Sequence, residues 1–255
     1  MVNILIPMAG LGKRFSDAGY VQPKPFIRFD SEKTMIEAVI KNLLTGFSYD
    51  EDFTLNFVVN KKQLDLNYLY SIIGNFLPKN KYNIIDVDYV PNGPAESCFI
   101  GLKHISPDEE LIIVNCDQII EDFYYGCFQS FCKLHNLDGC LGVFNSISPK
   151  NSYVKINSNN LITEVKEKQV ISNIATNGFH WFKKAQYFSD AFNKMKEKKD
   201  TFNLEYYVAP SYNYLIENGG KVMPYYFNLH FPIGTPPDFE FYKERLDKNI
   251  YIQKC

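Results

Sequence analysis

Apolar and polar positions repeat along the chain with two different periods. Short runs rich in β-branched and aromatic residues predict strands: ILIP from residue 4, LNFVV from 55, IIDVDYV from 84 and LIIVN from 111. In MIEAVIKNLL at 35–44, apolar residues recur at i, i+3, i+4, i+7 and i+8 from Ile36, which is one face of a helix. Strands that alternate with helices predict an α/β fold with a mostly parallel sheet covered on both faces.

Composition and net charge limit the classes of ligand that we expect this protein to bind. The 255 residues are 45% hydrophobic and 16% aromatic, enough to fill the core of a large domain. With 27 Lys and Arg against 29 Asp and Glu the net charge is −2, so no global field favours nucleic acid or anionic lipid. No stretch has the length of a membrane span or the pattern of a signal peptide, and we expect a cytoplasmic protein.

The cysteines do not indicate a metal centre. They lack the close paired spacing of zinc ligands, and we expect reduced, mostly buried thiols. The six positions are Cys98, Cys116, Cys127, Cys132, Cys140 and Cys255.

The loop after the first predicted strand carries the strongest local signal. In MAGLGKRF, Gly10 and Gly12 let backbone N–H groups approach an anion closely, and Lys13 and Arg14 supply positive charge. Lys24 follows between two prolines that restrict the backbone around it. The loop is neither a P-loop nor a dinucleotide fingerprint, because it lacks the Ser or Thr of the first and the third glycine of the second. It suits a triphosphate, although a strand-to-helix turn with solvated charges is the plain alternative.

A second signal lies at LIIVNCDQII, residues 111–120. Four apolar residues predict a buried strand, and Asp117 follows where parallel sheets bind their ligands. A carboxylate at this edge could hold Mg²⁺ against phosphate oxygens. Alternatively, Asp117 only leads the chain into a helix expected at 121–136.

Together these motifs resemble the nucleotidyltransferases of the sugar-1-phosphate type, which join a nucleoside triphosphate to a phosphorylated acceptor and release pyrophosphate. The resemblance implies a Rossmann-like three-layer fold with a mostly parallel mixed sheet, in a single domain. It implies a nucleotide-binding half at 1–145 and an acceptor-binding half at 146–255. It also implies that Arg14 and Lys24 polarise the phosphates and that Asp117 binds Mg²⁺. Further nucleotide contacts implied in the same region are Met8, Ala9, Gly10, Gly12, Lys13 and Cys116.

Further segments extend the resemblance along the chain. VPNGPAES at 90–97 resembles the family's base-recognition turn through Asn92, Gly93 and Ala95, although alone it predicts only a helix start. FPIGTPPDFEFY at 231–242 resembles the second carboxylate motif, so Asp238 would share the metal, whereas the competing interpretation is a helix capped by Thr235. The segments at 153–156, 165–169 and 175–182 resemble those that hold the acceptor. The acceptor residues implied are Tyr153, Glu167, Lys168, Asn177 and Gly178.

The Glu167–Lys168 pair could equally be a solvated surface pair. His180, beside Trp181, is interpreted as a core or rim histidine, because an acceptor phosphate that is already ionised needs no general base.

The opening IPMAGLGKRF resembles a bacterial branch that acts in capsule and surface-polysaccharide pathways, with CTP as nucleotide and L-glutamine phosphate as acceptor. A sugar-1-phosphate cytidylyl- or thymidylyltransferase is the runner-up, and a catalytically silent nucleotide-binding regulatory module is an alternative from another class. A glycosyltransferase would need a metal-binding Asp-x-Asp. The triplet at 86–88 has that spelling, but it lies inside a predicted strand.

Overall fold

The computed structural model describes residues 1–29, 33–48 and 51–248. The strands are β1 (Val2–Met8), β2 (Phe53–Asn60), β3 (Tyr82–Val87), β4 (Glu110–Val114), β5 (Gln118–Ile120), β6 (Gly139–Asn145), β7 (Ser152–Ile156), β8 (Ile162–Glu167), β9 (Ile174–Phe182), β10 (Val222–Tyr226) and β11 (His230–Pro232). The α-helices are α1 (Lys13–Ser16), α2 (Met35–Thr45), α3 (Leu66–Gly74), α4 (Pro94–Gly101), α5 (Tyr125–Leu134), α6 (Ala185–Glu197), α7 (Ser211–Glu217) and α8 (Pro236–Asp247). Short 3₁₀ turns lie at Lys24–Phe26, Lys79–Lys81 and Leu102–His104.

The main sheet has the strand order β10-β6-β9-β4-β1-β2-β3. Strands β4, β1, β2 and β3 pair in parallel, as do β10 and β6, and β9 pairs antiparallel with both β4 and β6. The predicted mostly parallel mixed sheet is therefore confirmed. Strand β9 comes from the second half of the chain and lies between two strands of the first half, so the sheet runs through both.

Helices cover both faces of this sheet. Along β1, Ile4 and Ile6 belong to a core cluster shared with α2, α3, α5 and α8. Leu5 points the other way, into a cluster shared with α4, α6 and α7. The alternation follows from the period of two in a strand, and it produces the predicted three-layer α/β fold.

The local predictions hold where the pattern is strong. All four predicted strands form, and the helix expected at 35–44 is α2, which begins at a capping box between Thr34 and Glu37. The helix expected at 121–136 is shorter and begins later, as α5. Residues 118–120, just before the expected helix, form β5, which pairs with β11 some 110 residues away, a contact that local periodicity cannot reveal.

Other sequence expectations concern the surface and the thiols. No helix in the described ranges is long and apolar enough to span a membrane. The five cysteines in the described ranges are free, and Cys98, Cys132 and Cys140 are buried. Cys255 lies outside the described residues.

Candidate active site

A cleft of about 830 Å³ opens where β1 and β4 end. It is lined by the glycine loop, the strand end at Asp117, the start of α4, the end of β8, the bulge in β9 and the start of α8. All but three of the residues proposed from sequence line it. The exceptions are Asn92, Ala95 and Tyr153.

The glycine loop turns sharply as it leaves β1. Gly12 has φ +63°, a left-handed conformation that favours glycine, and a Cβ there would lie 3.1 Å from the Cβ of Lys24. Phe15 is buried and anchors the short helix α1, while Lys13 and Arg14 stay exposed on it. The loop thus packs against Lys24 and presents two cations to the cleft.

Lys24 is held rather than mobile. It opens a 3₁₀ turn whose next two residues, Pro25 and Phe26, are buried. Its Nζ lies 2.5 Å from Oδ2 of Asp117, and both side chains are largely buried. Burial acts to lower the pKa of Lys24, but the carboxylate of Asp117 outweighs it and the pKa is raised. Burial likewise acts to raise the pKa of Asp117, yet Lys24 holds it below its usual value.

The chain around β11 brings a second carboxylate to the same place. Ile233 N–H donates to the carbonyl of Asp117 at 2.9 Å, and a Cβ on Gly234 would lie 2.5 Å from its Oδ2. Helix α8 then begins, with the hydroxyl of Thr235 accepting from the N–H of Asp238 and donating to its Oδ2 at 2.5 Å. Asp238 lines the cleft and also lies in the first turn of α8. A metal ligand and a helix start capped by Thr235, the two interpretations of this motif, are therefore compatible.

The described ranges hold no group of three or more His, Cys, Asp or Glu side chains that could bind a metal alone. Two carboxylates in a cleft with a cationic glycine loop nevertheless suit Mg²⁺, which takes one or two carboxylates and completes its shell with phosphate and water oxygens. Asp117 and Asp238 are the residues that would hold it.

The turn before α4 is shaped by close backbone contact. Gly93 has φ +99°, and a Cβ there would lie 2.5 Å from the carbonyl oxygen of Tyr206. Asn92 is exposed and its carbonyl accepts from Tyr206 N–H, while Ala95 is buried and its N–H donates to the Tyr206 carbonyl. Gly93 lines the cleft, whereas Asn92 and Ala95 do not. Their backbone hydrogen bonds hold the turn against Tyr206.

The Glu167–Lys168 pair also lines the cleft. Glu167 is 8% exposed, accepts a hydrogen bond from Ser152 and has a pKa raised mainly by burial. Lys168 Nζ donates to Tyr207 Oη at 2.8 Å. The solvated-pair interpretation is thus wrong for Glu167. Tyr153 is fully buried, and its hydroxyl donates to the carbonyl of Ser148, so it supports the turn at 148–152 from below.

Within the described part of the chain, three buried polar atoms of the cleft wall have no hydrogen-bond partner: Nε2 of Gln118, Nδ2 of Asn177 and Nδ1 of His180. All three side chains are at least nine-tenths buried. Gly178 allows this crowding, since a Cβ there would lie 2.2 Å from Nδ2 of Asn115 and 2.9 Å from Oε1 of Gln118. Unsatisfied buried groups are costly, so these atoms are suited to bind water or the polar atoms of a ligand in the cleft.

Both histidines in this wall are uncharged at neutral pH. Burial lowers the pKa of His180 to about 3 and that of His230 to about 4. The fixed charges that line the cleft are therefore those of Lys13, Arg14, Lys24 and two aspartates, together with those of Glu167, Lys168 and Glu205.

Sequence reasoning missed several residues of the wall, notably Gln118, Glu205 and Tyr207. Gln118 follows Asp117 directly and could have been proposed from its position. The segment at 202–207 has no local signature, because its place beside Lys168 results from non-local contacts.

The sequence matches no family model and no curated protein. Its fold is similar to a nucleoside-diphosphate-sugar pyrophosphorylase from Vibrio cholerae RC9, with 22% identity over 94% of this chain and 99% of the other, and a TM-score of 0.82. It is also similar to a UDP-glucose pyrophosphorylase in complex with UDP-glucose, with 15% identity over 98% and 99% of the chains and a TM-score of 0.77. A third similar structure is the inositol-1-phosphate CTP transferase from T. maritima, with 19% identity over 99% and 98% and a TM-score of 0.70. The chain therefore has the three-layer, nucleotide-diphospho-sugar transferase-like α/β fold of these structures.

Proposed function

We propose that the protein is a nucleotidyltransferase that joins a nucleoside triphosphate to a phosphorylated acceptor and releases pyrophosphate. The observation that carries this proposal is a single cleft lined by a cationic glycine loop with Asp117 and also by a second polar group around Glu167 and Lys168. A polyanion suits the glycine loop, because Lys13, Arg14 and Lys24 can neutralise several phosphate oxygens. A second substrate suits the polar group around Lys168.

The reaction needs little covalent chemistry from the protein. An oxygen of the acceptor phosphate attacks the α-phosphorus, and a P–O bond forms while the bond from that phosphorus to the pyrophosphate oxygen breaks. The acceptor oxygen is already ionised, so no base has to remove a proton. The protein must instead offset repulsion between two anions.

In this chain the cations of the cleft offset the repulsion between the two anions. Arg14 and Lys13 bind phosphate oxygens from the exposed side of the loop, and Lys24 binds from the floor, where two prolines and Phe15 restrict it. Mg²⁺ held by Asp117 and Asp238 would neutralise further charge on the phosphates. Asp117 also keeps Lys24 protonated and in place.

For the substrates we infer CTP and L-glutamine phosphate, in capsular polysaccharide modification. The sequence resemblance of the opening motif supports both, and the charges around Lys168 support an amino acid. Glu167 is suited to its ammonium group, Lys168 to its phosphate, and the unpartnered donors of Gln118 and Asn177 to its carboxylate or carbonyl oxygens. A sugar-1-phosphate cytidylyl- or thymidylyltransferase remains the second candidate, favoured by the fold likenesses.

The test is pyrophosphate release, measured with CTP, UTP, GTP, ATP and dTTP against L-glutamine phosphate and a panel of hexose 1-phosphates. We expect CTP with L-glutamine phosphate to give the highest rate. Turnover with hexose 1-phosphates alone would instead favour the second candidate. Binding of a nucleotide without pyrophosphate release in any combination would favour a regulatory module.

A pair of variants shows whether any activity belongs to this cleft. Arg14→Gln should lower kcat/KM by about a hundredfold, because it removes a charged contact to the reacting phosphates. Lys62→Gln removes an equally exposed cation outside the cleft and serves as the matched control. Equal rates in the two variants would assign the activity elsewhere.

A further inference from the structure

Lys168 is enclosed by aromatic rings from a distant part of the chain. Its Nζ lies 4.5 Å from the ring centroid of Tyr207 and 4.9 Å from that of Phe202, and it donates to the Tyr207 hydroxyl at 2.8 Å. The nearest carboxylate oxygen, on Glu167, is 3.8 Å away. A lysine has four rotatable side-chain bonds, so this enclosure removes most of its freedom before any ligand arrives.

The Tyr207 hydroxyl is itself fixed by a second hydrogen bond. It donates to Oε2 of Glu205 at 2.8 Å while it accepts from Lys168. Burial and the neighbouring Glu205 raise the pKa of Tyr207, so the phenol keeps the proton that this arrangement requires. Glu205, Tyr207 and Lys168 therefore form one directed chain of hydrogen bonds.

The backbone that supports this chain is strained. Phe202 and Glu205 exchange both of their backbone hydrogen bonds around a two-residue turn, in which Asn203 has φ +49° and Leu204 has φ +66°. Lys168 itself has φ +52°. Left-handed non-glycine residues cost free energy and persist where the surrounding structure demands them, often at functional sites.

The same segment is fastened to the nucleotide side of the cleft. Tyr206 N–H donates to the carbonyl of Asn92 at 2.8 Å, and the Tyr206 carbonyl accepts from Ala95 N–H at 2.9 Å. Residues 202–207 thus connect the turn at Gly93 with Lys168, since Tyr206 bonds to that turn and Tyr207 bonds to Lys168.

We propose that Tyr207 is a positioning residue, held by Glu205, that places the Lys168 ammonium to bind the phosphate of the acceptor. This inference rests on the proposed transferase function and assigns it a determinant of acceptor binding. The Lys168 ammonium has three N–H donors, of which Tyr207 takes one, leaving others for an anionic oxygen. Without the hydroxyl, Lys168 keeps its charge and its ring contact but loses its fixed direction.

The test compares Tyr207→Phe with Tyr214→Phe. Tyr214 also donates its hydroxyl to a carboxylate, Asp200, at 2.8 Å, but it does not line the cleft. We expect Tyr207→Phe to raise the acceptor KM about tenfold, consistent with the loss of a hydrogen bond to a charged group, and to change the nucleotide KM less than about twofold. Glu205→Gln should act in the same direction with a smaller effect. Tyr214→Phe should leave both constants unchanged.

A second measurement is independent of turnover. The rate of acylation of Lys168 by an amine-reactive reagent, followed by peptide mass spectrometry against the exposed Lys79, should rise in Tyr207→Phe and stay constant in Tyr214→Phe. Unchanged labelling would overturn the positioning role, as would equal changes in the KM of both substrates. If no acceptor supports turnover in the wild type, the proposed function fails, and the labelling still decides whether Tyr207 positions Lys168.

Discussion

At the scale of single residues, the ion pair between Lys24 and Asp117 links the 3₁₀ turn at Lys24–Phe26 to the chain that follows β4. Because each partner is largely buried, each depends on the other for its charged form. The pair therefore restrains the Lys24 ammonium at the position where we propose that it binds phosphate. It also makes Asp117 important for stability, which the strand-end position alone does not indicate.

Asp117→Asn should lower kcat by on the order of a thousandfold, since it removes charge that would hold Mg²⁺. It should also lower the free energy of unfolding by about 1–3 kcal/mol, because Lys24 is left buried without its counter-charge. Urea denaturation and pyrophosphate release measure the two effects. Asp86→Asn, which breaks an exposed pair with Lys61, is the matched control and should change neither. Near-normal activity of Asp117→Asn at saturating Mg²⁺ would remove the metal assignment.

The burial of neutral His180 makes the stability of the fold depend on pH. The pKa of His180 is about 3 in the folded protein and about 6.5 in the unfolded chain. Between these pH values the imidazole is protonated in the unfolded chain but not in the folded protein. Stability should therefore fall as pH drops from about 6.5 towards 3, by roughly 1–2 kcal/mol per histidine between pH 6.5 and 5. His230, with a pKa of about 4, acts in the same direction.

Replacing His180 tests this dependence. Urea denaturation of His180→Gln at pH 7.5 and pH 5.0 should show a smaller loss of stability than the wild type over the same interval. His104→Gln, at an exposed position, is the control and should retain the wild-type difference. Equal losses in His180→Gln and wild type would contradict the burial of a neutral imidazole.

At the scale of elements, the start of α8 combines a helix cap with a candidate metal ligand. Thr235→Ala should lower the free energy of unfolding by about 1 kcal/mol, as expected for a lost N-cap, and reduce kcat less than tenfold. Asp238→Asn should do the reverse, with a large loss of kcat and a small loss of stability. Thr34→Ala removes the cap of α2 away from the cleft and controls for the stability effect. Full activity in Asp238→Asn would limit Asp238 to the helix start.

At the scale of the whole molecule, the sheet makes the two halves interdependent. Strand β9 separates β4 from β6, so a fragment of residues 1–145 leaves β6 without either neighbour and β4 as an exposed edge. We expect this fragment to lack a cooperative thermal transition by circular dichroism, unlike the full chain. A cooperative transition with dispersed NMR signals would show that the first half folds alone.

Particular residues show how far sequence could predict the site. Gly12, Arg14 and Lys24 could be identified from sequence because they lie within seventeen residues of one predicted strand. From sequence, Glu167 could be identified only as a member of the Glu167–Lys168 dipeptide. Its burial depends on Ser152 and on the surrounding sheet. Glu205 and Tyr207 had no signal, since nothing near them in sequence indicates their contact with Lys168.

The sequence by itself determined the alternation of strands and helices, the glycine loop after β1 and the aspartate after β4, because each depends on periodicity or backbone preferences within a few residues. The tertiary structure alone decided that Lys24 meets Asp117 across 93 residues, that β11 pairs with β5, and that residues 202–207 enclose Lys168. These contacts arise from the summed burial and hydrogen bonding of the whole chain. No local window contains that sum, so no local pattern could reveal them.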